Sequence, residues 1–127
     1  GACKIYGFID NIDELMRVAA ILITKSGGLT CSEALATGTP MIIVSPIPGQ
    51  ETKNAKVMVE NGVGVMLKKL ANINDLIGRF NADKSILDRM RRSSKDISHP
   101  ESAVNIAKLA LNLLGLKDEA GTVTAGN

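Results

Sequence analysis

The residues best suited to chemistry in this sequence lie in one stretch, residues 23–40. The stretch begins at the end of an apolar run, passes through a Ser-Gly-Gly turn, and continues as a helix-compatible segment that stops at Gly38. Such a turn leaves backbone N–H groups free at the positive end of a helix dipole, and glycine lets an anion approach them closely. We therefore predict a phosphate or diphosphate site formed by Ser26, Gly27, Gly28, Leu29 and Thr30.

Glu33 follows these residues by about one helical turn. A carboxylate beside a phosphate site is the usual partner of ribose hydroxyls, so Glu33 is a candidate ribose ligand. The same residues also fit a plain tight turn in which Thr30 and Glu33 form a capping box. Both interpretations stay open on this stretch alone, because short glycine-rich turns match by chance.

A second polar segment follows the apolar run at residues 41–44. Two prolines and a glycine stiffen a loop that would leave the carboxyl end of a strand, where open α/β sheets bind their ligands. Gln50, Glu51 and Asn54 come next, and their amide and carboxylate groups suit sugar hydroxyls. The pattern indicates a sugar-binding segment beside the predicted phosphate site.

Three ordered motifs in the first seventy or so residues carry a resemblance to a known family. They are Gly-Phe-Ile-Asp-Asn at 7–11, Thr-Lys-Ser-Gly-Gly-Leu-Thr at 24–30 with Glu33, and Pro-Ile-Pro-Gly-Gln-Glu at 46–51 with Asn54 and Ala55. Together they resemble the C-terminal, donor-binding domain of the GT-B glycosyltransferases of the MurG, monogalactosyldiacylglycerol synthase and processive diacylglycerol glucosyltransferase family. The resemblance implies a UDP-sugar-dependent transferase that moves a hexose to a lipid or lipid-linked acceptor such as diacylglycerol.

The resemblance also implies roles for further residues. The backbone at Phe8 and Ile9 would hold the uracil base, although the Phe8 side chain equally fits a core position. Lys25 stands where many GT-B enzymes have histidine, and its positive charge would stabilise the departing nucleotide. The catalytic residues are unknown and would belong, with the acceptor pocket, to an N-terminal domain. Because the chain begins at Gly1 rather than methionine, we expect a longer protein, and we expect this part to be inactive alone.

The predicted fold is α/β, a partial Rossmann-like GT-B C-terminal domain over residues 1–116 with a disordered tail at 117–127. Alternating apolar and amphipathic segments predict about four parallel strands with flanking helices, the strands near residues 3–8, 20–24, 41–44 and 64–67. Helices near residues 76–80 and 84–94 and another after Pro100 are expected to cover the sheet. A sheet edge left open should favour self-association.

Composition excludes several other functions. A net charge of +2 with two Phe, one Tyr and no Trp argues against nucleic-acid binding. Cys3 and Cys31 lack CxxC spacing and are expected to be free buried thiols, while His99 is the single histidine and fits a surface loop. We therefore predict neither a metal site nor a Ser-His-Asp relay, and no cofactor, since a UDP-sugar would be the donor substrate.

The sequence has no membrane-length apolar run and no visible signal peptide. This pattern favours a cytoplasmic protein, peripheral at the membrane if its acceptor is a lipid, or a plastid protein if it comes from a plant. A basic cluster fits a solvated face, with contact to anionic lipid as the alternative, and comprises Lys84, Arg89, Arg91, Arg92 and Lys95.

Two other functions remain open at this point. One is a short catalytic subunit that completes its site with a second polypeptide, as split UDP-N-acetylglucosamine transferases of the same superfamily do. The other is a nucleotide-binding or interaction module without transfer activity.

Overall fold

A computed structural model describes residues 3–115 of the chain as a parallel sheet flanked by helices. In chain order the elements are α1 (Ile12–Val18), β1 (Leu22–Thr24), α2 (Gly28–Thr37), β2 (Met41–Val44), α3 (Gln50–Glu60), β3 (Gly64–Leu67), a 3-10 turn (Leu70–Asn72), α4 (Ile73–Ala82), α5 (Ser85–Ile97) and α6 (Ser102–Leu113). The predicted α/β class is confirmed. None of the described helices is both long enough and apolar enough to cross a bilayer.

The sheet has the order β1-β2-β3, and both pairings are parallel. The central strand β2 is an uninterrupted apolar run, and three of its residues, Met41, Ile42 and Ile43, are fully buried. A parallel strand covered by helices on both faces needs such a run, because side chains on either face meet a packed layer. Because both pairings are parallel, the carboxyl ends of the three strands lie at one common edge of the sheet.

Alternation along β2 divides the core into two layers. Met41 and Ile43 pack with residues of α2 and α3, in a cluster that comprises Cys31, Ala34, Ala55, Met58 and Val63. Ile42 lies on the opposite face and packs with residues of α4 and α5, in a cluster that comprises Leu67, Leu76, Phe80, Leu87 and Met90. The sheet is thus the middle layer of a three-layer domain.

The strand predicted at residues 3–8 is wrong, so the sheet has three strands in the described part of the chain rather than about four. Its apolar residues are exposed, with Ile5 at 94% and Phe8 at 99% of their accessible surface. A strand needs a neighbouring strand for its backbone hydrogen bonds, and within residues 3–115 the edge strand β1 pairs with β2 alone. The segment does alternate between apolar and polar residues, but no strand in the described residues pairs with it.

The later helices divide into two groups. The helices α4 and α5 cover one face of the sheet as expected, and α4 begins at Ile73, before the predicted start near Leu76. In contrast α6 buries none of its residues, and Leu109 and Leu113 are largely exposed, so the expectation that it covers the sheet is wrong. The predicted tail at 117–127 lies outside the described residues.

One strand position tests the packing between the sheet and α3. A Cβ added at Gly64 would lie 3.2 Å from Ile43 Cδ1 and 3.4 Å from Met58 Cβ. We expect Gly64→Ala to lower the free energy of unfolding by about 1–3 kcal/mol, because the strand and α3 must separate slightly. Urea unfolding measures this loss.

The matched control is Gly78→Ala on the exposed side of α4, where an added Cβ would meet nothing within 4 Å. Alanine there should raise the free energy of unfolding by roughly 0.5–1 kcal/mol, since glycine weakens a helix interior. Equal stabilities for the two variants would contradict the packing described for Gly64.

Candidate functional site

The glycine turn after β1 opens α2 without a side-chain cap. Gly27 is the N-cap residue, α2 begins at Gly28, and the first helical hydrogen bond runs from the Cys31 N–H to the Gly27 carbonyl at 2.9 Å. The three preceding helical N–H groups, of Gly28, Leu29 and Thr30, therefore point out of the helix end without an intrahelical acceptor. This end of α2 can accept an anion.

The capping-box alternative does not fit this helix start. A capping box needs its Ser or Thr at the N-cap, but Thr30 lies inside α2 and glycine occupies the N-cap position. The Glu33 side chain is exposed and is free of any capping role. Glu33 lines a groove of about 390 Å³ between α2 and the connection from α5 to α6, which also includes His99 and Pro100.

The loop after β2 has an unusual backbone. Ser45 has a φ of 41° and Gly49 a φ of 108°, so two of its residues adopt the left-handed region. A non-glycine residue with positive φ is uncommon and persists where the surrounding structure holds it. The two prolines, Pro46 and Pro48, lie between these residues and fix the intervening path.

Side-chain hydrogen bonds join the two loops. The Ser26 hydroxyl is fully buried and donates to the Glu51 carbonyl at 2.7 Å, and the Asn54 amide donates to the Ser26 carbonyl at 2.9 Å. A Cβ at Gly28 would lie 3.9 Å from Asn54 Nδ2. The structure therefore brings together the predicted phosphate-binding and sugar-binding segments at the carboxyl edge of the sheet.

The Glu51 side chain stabilises the proline-containing loop. Its carboxylate Oε2 accepts a hydrogen bond from the Ile47 N–H at 2.8 Å, and the Thr52 hydroxyl donates to the Ile47 carbonyl at 3.3 Å. Gln50 is exposed at the first position of α3. Of the three candidate sugar ligands, Gln50 therefore presents its side chain to solvent, while Glu51 and Asn54 also bond within the protein.

Cys31 lies under this region in the core. Burial, with the nearby Glu51 charge as a smaller cause, raises the pKa of the Cys31 thiol, which favours the neutral form. Both cysteines are free, but Cys3 is exposed, so the expectation that both thiols are buried is wrong for Cys3.

The remaining candidates are Lys25, Phe8 and Ile9. Lys25 is exposed directly after β1 and beside the glycine turn. Phe8 is almost fully exposed before α1, and Ile9 is half-buried beside it. Among residues 3–115 no group of three or more His, Cys, Asp or Glu side chains could hold a metal ion.

Sequence reasoning missed the role of Arg91. This side chain is half-buried, and its Nη2 donates to the carbonyls of Ala19 and Ala20 at 3.3 and 3.4 Å, which ties α5 to the connection between α1 and β1. Its position in α5 was the available signal, since Arg91 lies four residues after the buried Leu87 and therefore on the same side of the helix. Arg91 is therefore a structural cation rather than part of a solvated face.

The parallel sheet with flanking helices, and the glycine turn that opens a helix at its carboxyl edge, define a Rossmann-like α/β domain. The family model of the glycosyltransferase family 28 C-terminal domain matches residues 2–107, which is most of the chain. The chain belongs to this family, and the resemblance to the C-terminal domain of GT-B glycosyltransferases is confirmed.

Curated relatives agree with this assignment. The chain is 39% identical over 110 residues to processive diacylglycerol beta-glucosyltransferase of Bacillus cytotoxicus, a match that covers 87% of this chain and 28% of that protein. Identity to the protein of the same name from Bacillus subtilis is 37% over 94 residues, covering 74% of this chain and 25% of the relative. The chain thus spans about a quarter of the length of these relatives.

A solved structure shares the fold. The crystal structure of the glycotransferase of kitacinnamycin superposes with a TM-score of 0.57 at 17% identity, covering 76% of this chain and 26% of that one. At this identity the likeness concerns the fold alone.

The glycine turn allows a test that separates ligand binding from stability. Gly28 has no positive φ, and its added Cβ would make only ordinary contact, 3.9 Å from Asn54 Nδ2. We expect Gly28→Ala to keep or slightly raise the unfolding midpoint, because alanine favours a helix. UDP affinity should fall about tenfold, as the methyl group would crowd a phosphate against the N–H groups.

Calorimetric titration with UDP and a thermal unfolding curve on the same full-length variant measure both effects. A stable Gly28→Ala protein with unchanged UDP affinity would exclude phosphate binding at this turn.

Proposed function

We propose that this chain is the donor-binding part of a UDP-sugar-dependent glycosyltransferase that transfers a hexose to a lipid or lipid-linked acceptor such as diacylglycerol. Family membership and the printed names of the curated relatives support the reaction class. The observation that carries the proposal is the junction of two loops, where the uncapped end of α2 lies beside the start of α3.

The diphosphate binds at the start of α2 in this proposal. The N–H groups of Gly28, Leu29 and Thr30 donate to phosphate oxygens, and the helix dipole favours their negative charge. Lys25 is exposed beside the same turn, and its ammonium group stabilises the charge that develops on the leaving UDP. Backbone donors and one cation together favour departure of the nucleotide.

The nucleoside lies further along α2. We assign the ribose hydroxyls to the Glu33 carboxylate, because Glu33 is exposed about one turn beyond the phosphate-binding end and helical side chains lean toward the helix N-terminus. The backbone at Phe8 and Ile9 holds the uracil. Phe8 is almost completely exposed, which supports a contact of this segment with a ligand or with a further part of the protein.

The sugar contacts the start of α3. The exposed amide of Gln50 is the group best placed to select sugar hydroxyls, because a polar contact rejects a sugar that cannot pair with it. Glu51 offers its second carboxylate oxygen, since Oε2 is already bonded to the Ile47 N–H. Asn54 was also predicted as a sugar ligand, but its amide nitrogen already donates to the Ser26 carbonyl at 2.9 Å.

Acceptor binding and the catalytic base come from parts of the protein beyond this chain, which spans about a quarter of its relatives' length. The UDP-sugar is a substrate, so we propose neither a cofactor nor a metal ion. The isolated chain should lack transfer activity. Within residues 3–115 the outer edge of β1 has no neighbouring strand, and such an edge also favours self-association of the isolated chain, because it can pair with another strand.

We propose a cytoplasmic protein that contacts the membrane surface where its lipid acceptor resides. The basic face of α5 supports this contact with fewer residues than the sequence indicated, because Arg91 donates hydrogen bonds to the carbonyls of Ala19 and Ala20. Arg92 and Lys95 are exposed and remain available to anionic headgroups.

Two substitutions test the donor assignment in the full-length protein. Glu33→Ala should weaken UDP and UDP-sugar alike by about tenfold or more, because the ribose is common to both and a charged hydrogen bond contributes roughly 1.5–3 kcal/mol. Gln50→Ala should leave UDP affinity nearly unchanged while transfer falls and sugar discrimination relaxes. Calorimetry with UDP, together with transfer assays over a panel of UDP-sugars and diacylglycerol, measures these effects.

The unfolding midpoint of each variant provides the control. If Glu33 serves only the fold, its affinity loss should follow a loss of stability. A folded Glu33→Ala protein that binds UDP like the wild type would refute the ribose assignment.

The lipid contact predicts a charge-specific effect. Arg92→Glu should weaken binding of the full-length protein to anionic liposomes about tenfold, since each basic residue near the surface contributes about 1 kcal/mol. Added salt should weaken the wild-type interaction as well. Lys108→Glu on α6 makes the same charge change away from this face and should have a smaller effect. Liposome co-sedimentation in which both variants match the wild type would remove α5 from membrane binding.

A further inference from the structure

We infer that Ser26 and Asn54 are positioning residues, which hold the phosphate-binding turn against the sugar-binding segment and do not act as donor ligands through their bonded groups. The inference rests on the proposed function, because it concerns how the same site is shaped. It replaces the roles that the sequence suggested, a phosphate ligand for Ser26 and a sugar ligand for Asn54. We call the pair of hydrogen bonds made by these two residues the loop clamp.

The loop clamp holds Ser26 at two points. The Ser26 hydroxyl is fully buried and donates to the Glu51 carbonyl at 2.7 Å. A phosphate could accept a hydrogen bond from this hydroxyl only if the bond to the Glu51 carbonyl broke and the Ser26 side chain left the interior. The Ser26 carbonyl in turn accepts the Asn54 amide at 2.9 Å. Both the side chain and the backbone carbonyl of Ser26 are therefore hydrogen-bonded to residues of α3.

This geometry fixes the position of the anion-binding groups. Ser26 directly precedes Gly27, the N-cap of α2, so its placement sets where the free N–H groups of Gly28 and the next residues point. Asn54 also lies close to Gly28, since a Cβ there would be 3.9 Å from Asn54 Nδ2. An N–H group aimed correctly before the ligand arrives needs no rearrangement on binding.

The clamp also extends to the sugar segment. The backbone carbonyl of Glu51 accepts a hydrogen bond from the Ser26 hydroxyl, and its carboxylate accepts one from the Ile47 N–H at 2.8 Å. A continuous set of hydrogen bonds thus runs from the phosphate turn through Glu51 to the proline-containing loop that precedes Gln50. The two ligand-binding segments are expected to behave as one unit.

A positioning role and a ligand role predict different ligand profiles. If Asn54 contacts the sugar, Asn54→Ala should weaken UDP-glucose but spare UDP. If Asn54 holds the phosphate turn, the same change should weaken both ligands by a similar factor, about fivefold to tenfold for one lost hydrogen bond. Ser26→Ala should have the same profile.

Coupling between the two residues gives a second readout, which general destabilisation would not produce. Because both bonds hold one turn, the Ser26→Ala, Asn54→Ala double variant should bind UDP little worse than the weaker single variant. Ser26→Ala combined with Glu33→Ala should instead multiply the two single effects, since Glu33 acts on the ribose independently. Two direct ligands would also multiply.

The chain offers matched controls for both substitutions. Ser32→Ala removes a hydroxyl that bonds the Gly28 carbonyl within α2 at 3.0 Å, and Asn61→Ala removes an amide that bonds the Val57 carbonyl at 2.8 Å. Neither residue joins the two loops. Both controls should keep wild-type affinity for UDP and UDP-glucose.

The experiment is calorimetric titration of UDP and UDP-glucose into the full-length wild type, the clamp variants and the controls, below the unfolding midpoint of each. Similar weakening of both ligands, with coupling between Ser26 and Asn54, supports the clamp. Loss confined to UDP-glucose, multiplied effects, or wild-type affinity in both clamp variants overturns it. If Ser26→Ala fails to fold, the UDP to UDP-glucose comparison in Asn54→Ala decides alone. A wild type that does not bind UDP would refute the proposed function itself.

Discussion

The parallel pairing of β2 with a strand on each side is the constraint on which the rest of the structure depends. It buries Met41, Ile42 and Ile43 completely, and it makes β1 and β2 end at the same edge of the sheet. The loop after each strand must then emerge beside the other. The meeting of the glycine turn and the proline-containing loop is a consequence of strand direction, and the hydrogen bonds of Ser26 and Asn54 refine it.

The two loops reach their conformations by different means. The turn after β1 has an ordinary backbone, since neither Gly27 nor Gly28 has a positive φ, so its glycines are not required by the path of the chain. The loop after β2 contains the left-handed Ser45 and Gly49, and its glycine has a conformational reason. Backbone geometry therefore explains Gly49 but not Gly27 and Gly28, for which the proposed phosphate site offers a reason.

The sequence predicted the elements whose signals are local. Continuous apolar runs marked β1, β2 and β3, and the helix end at Gly38 followed from its left-handed conformation, with a φ of 69°. The predicted strand at 3–8 failed because pairing depends on a neighbour that its own residues cannot reveal. Arg91 and the loop clamp were missed for a related reason, since each bond joins residues at least 25 positions apart. The sequence indicated the candidate ligands by their residue types, whereas the hydrogen bonds that these residues make within the protein are visible only in the structure.

Glycine at the N-cap of α2 suits the proposed phosphate site at little cost in stability. A serine or aspartate there would bond one of the free N–H groups, and replacing such a cap by glycine costs only a few tenths of a kcal/mol. A side-chain cap would, however, satisfy a donor that a phosphate could use and place an oxygen in the path of the anion. Gly27 leaves these donors open at little expense in stability, while the buried Ser26, one residue earlier, makes its hydrogen bond toward α3. The polar side chain of Ser26 thus lies behind the turn, where it fixes the backbone, and the N–H groups of Gly28, Leu29 and Thr30 remain open to the proposed phosphate.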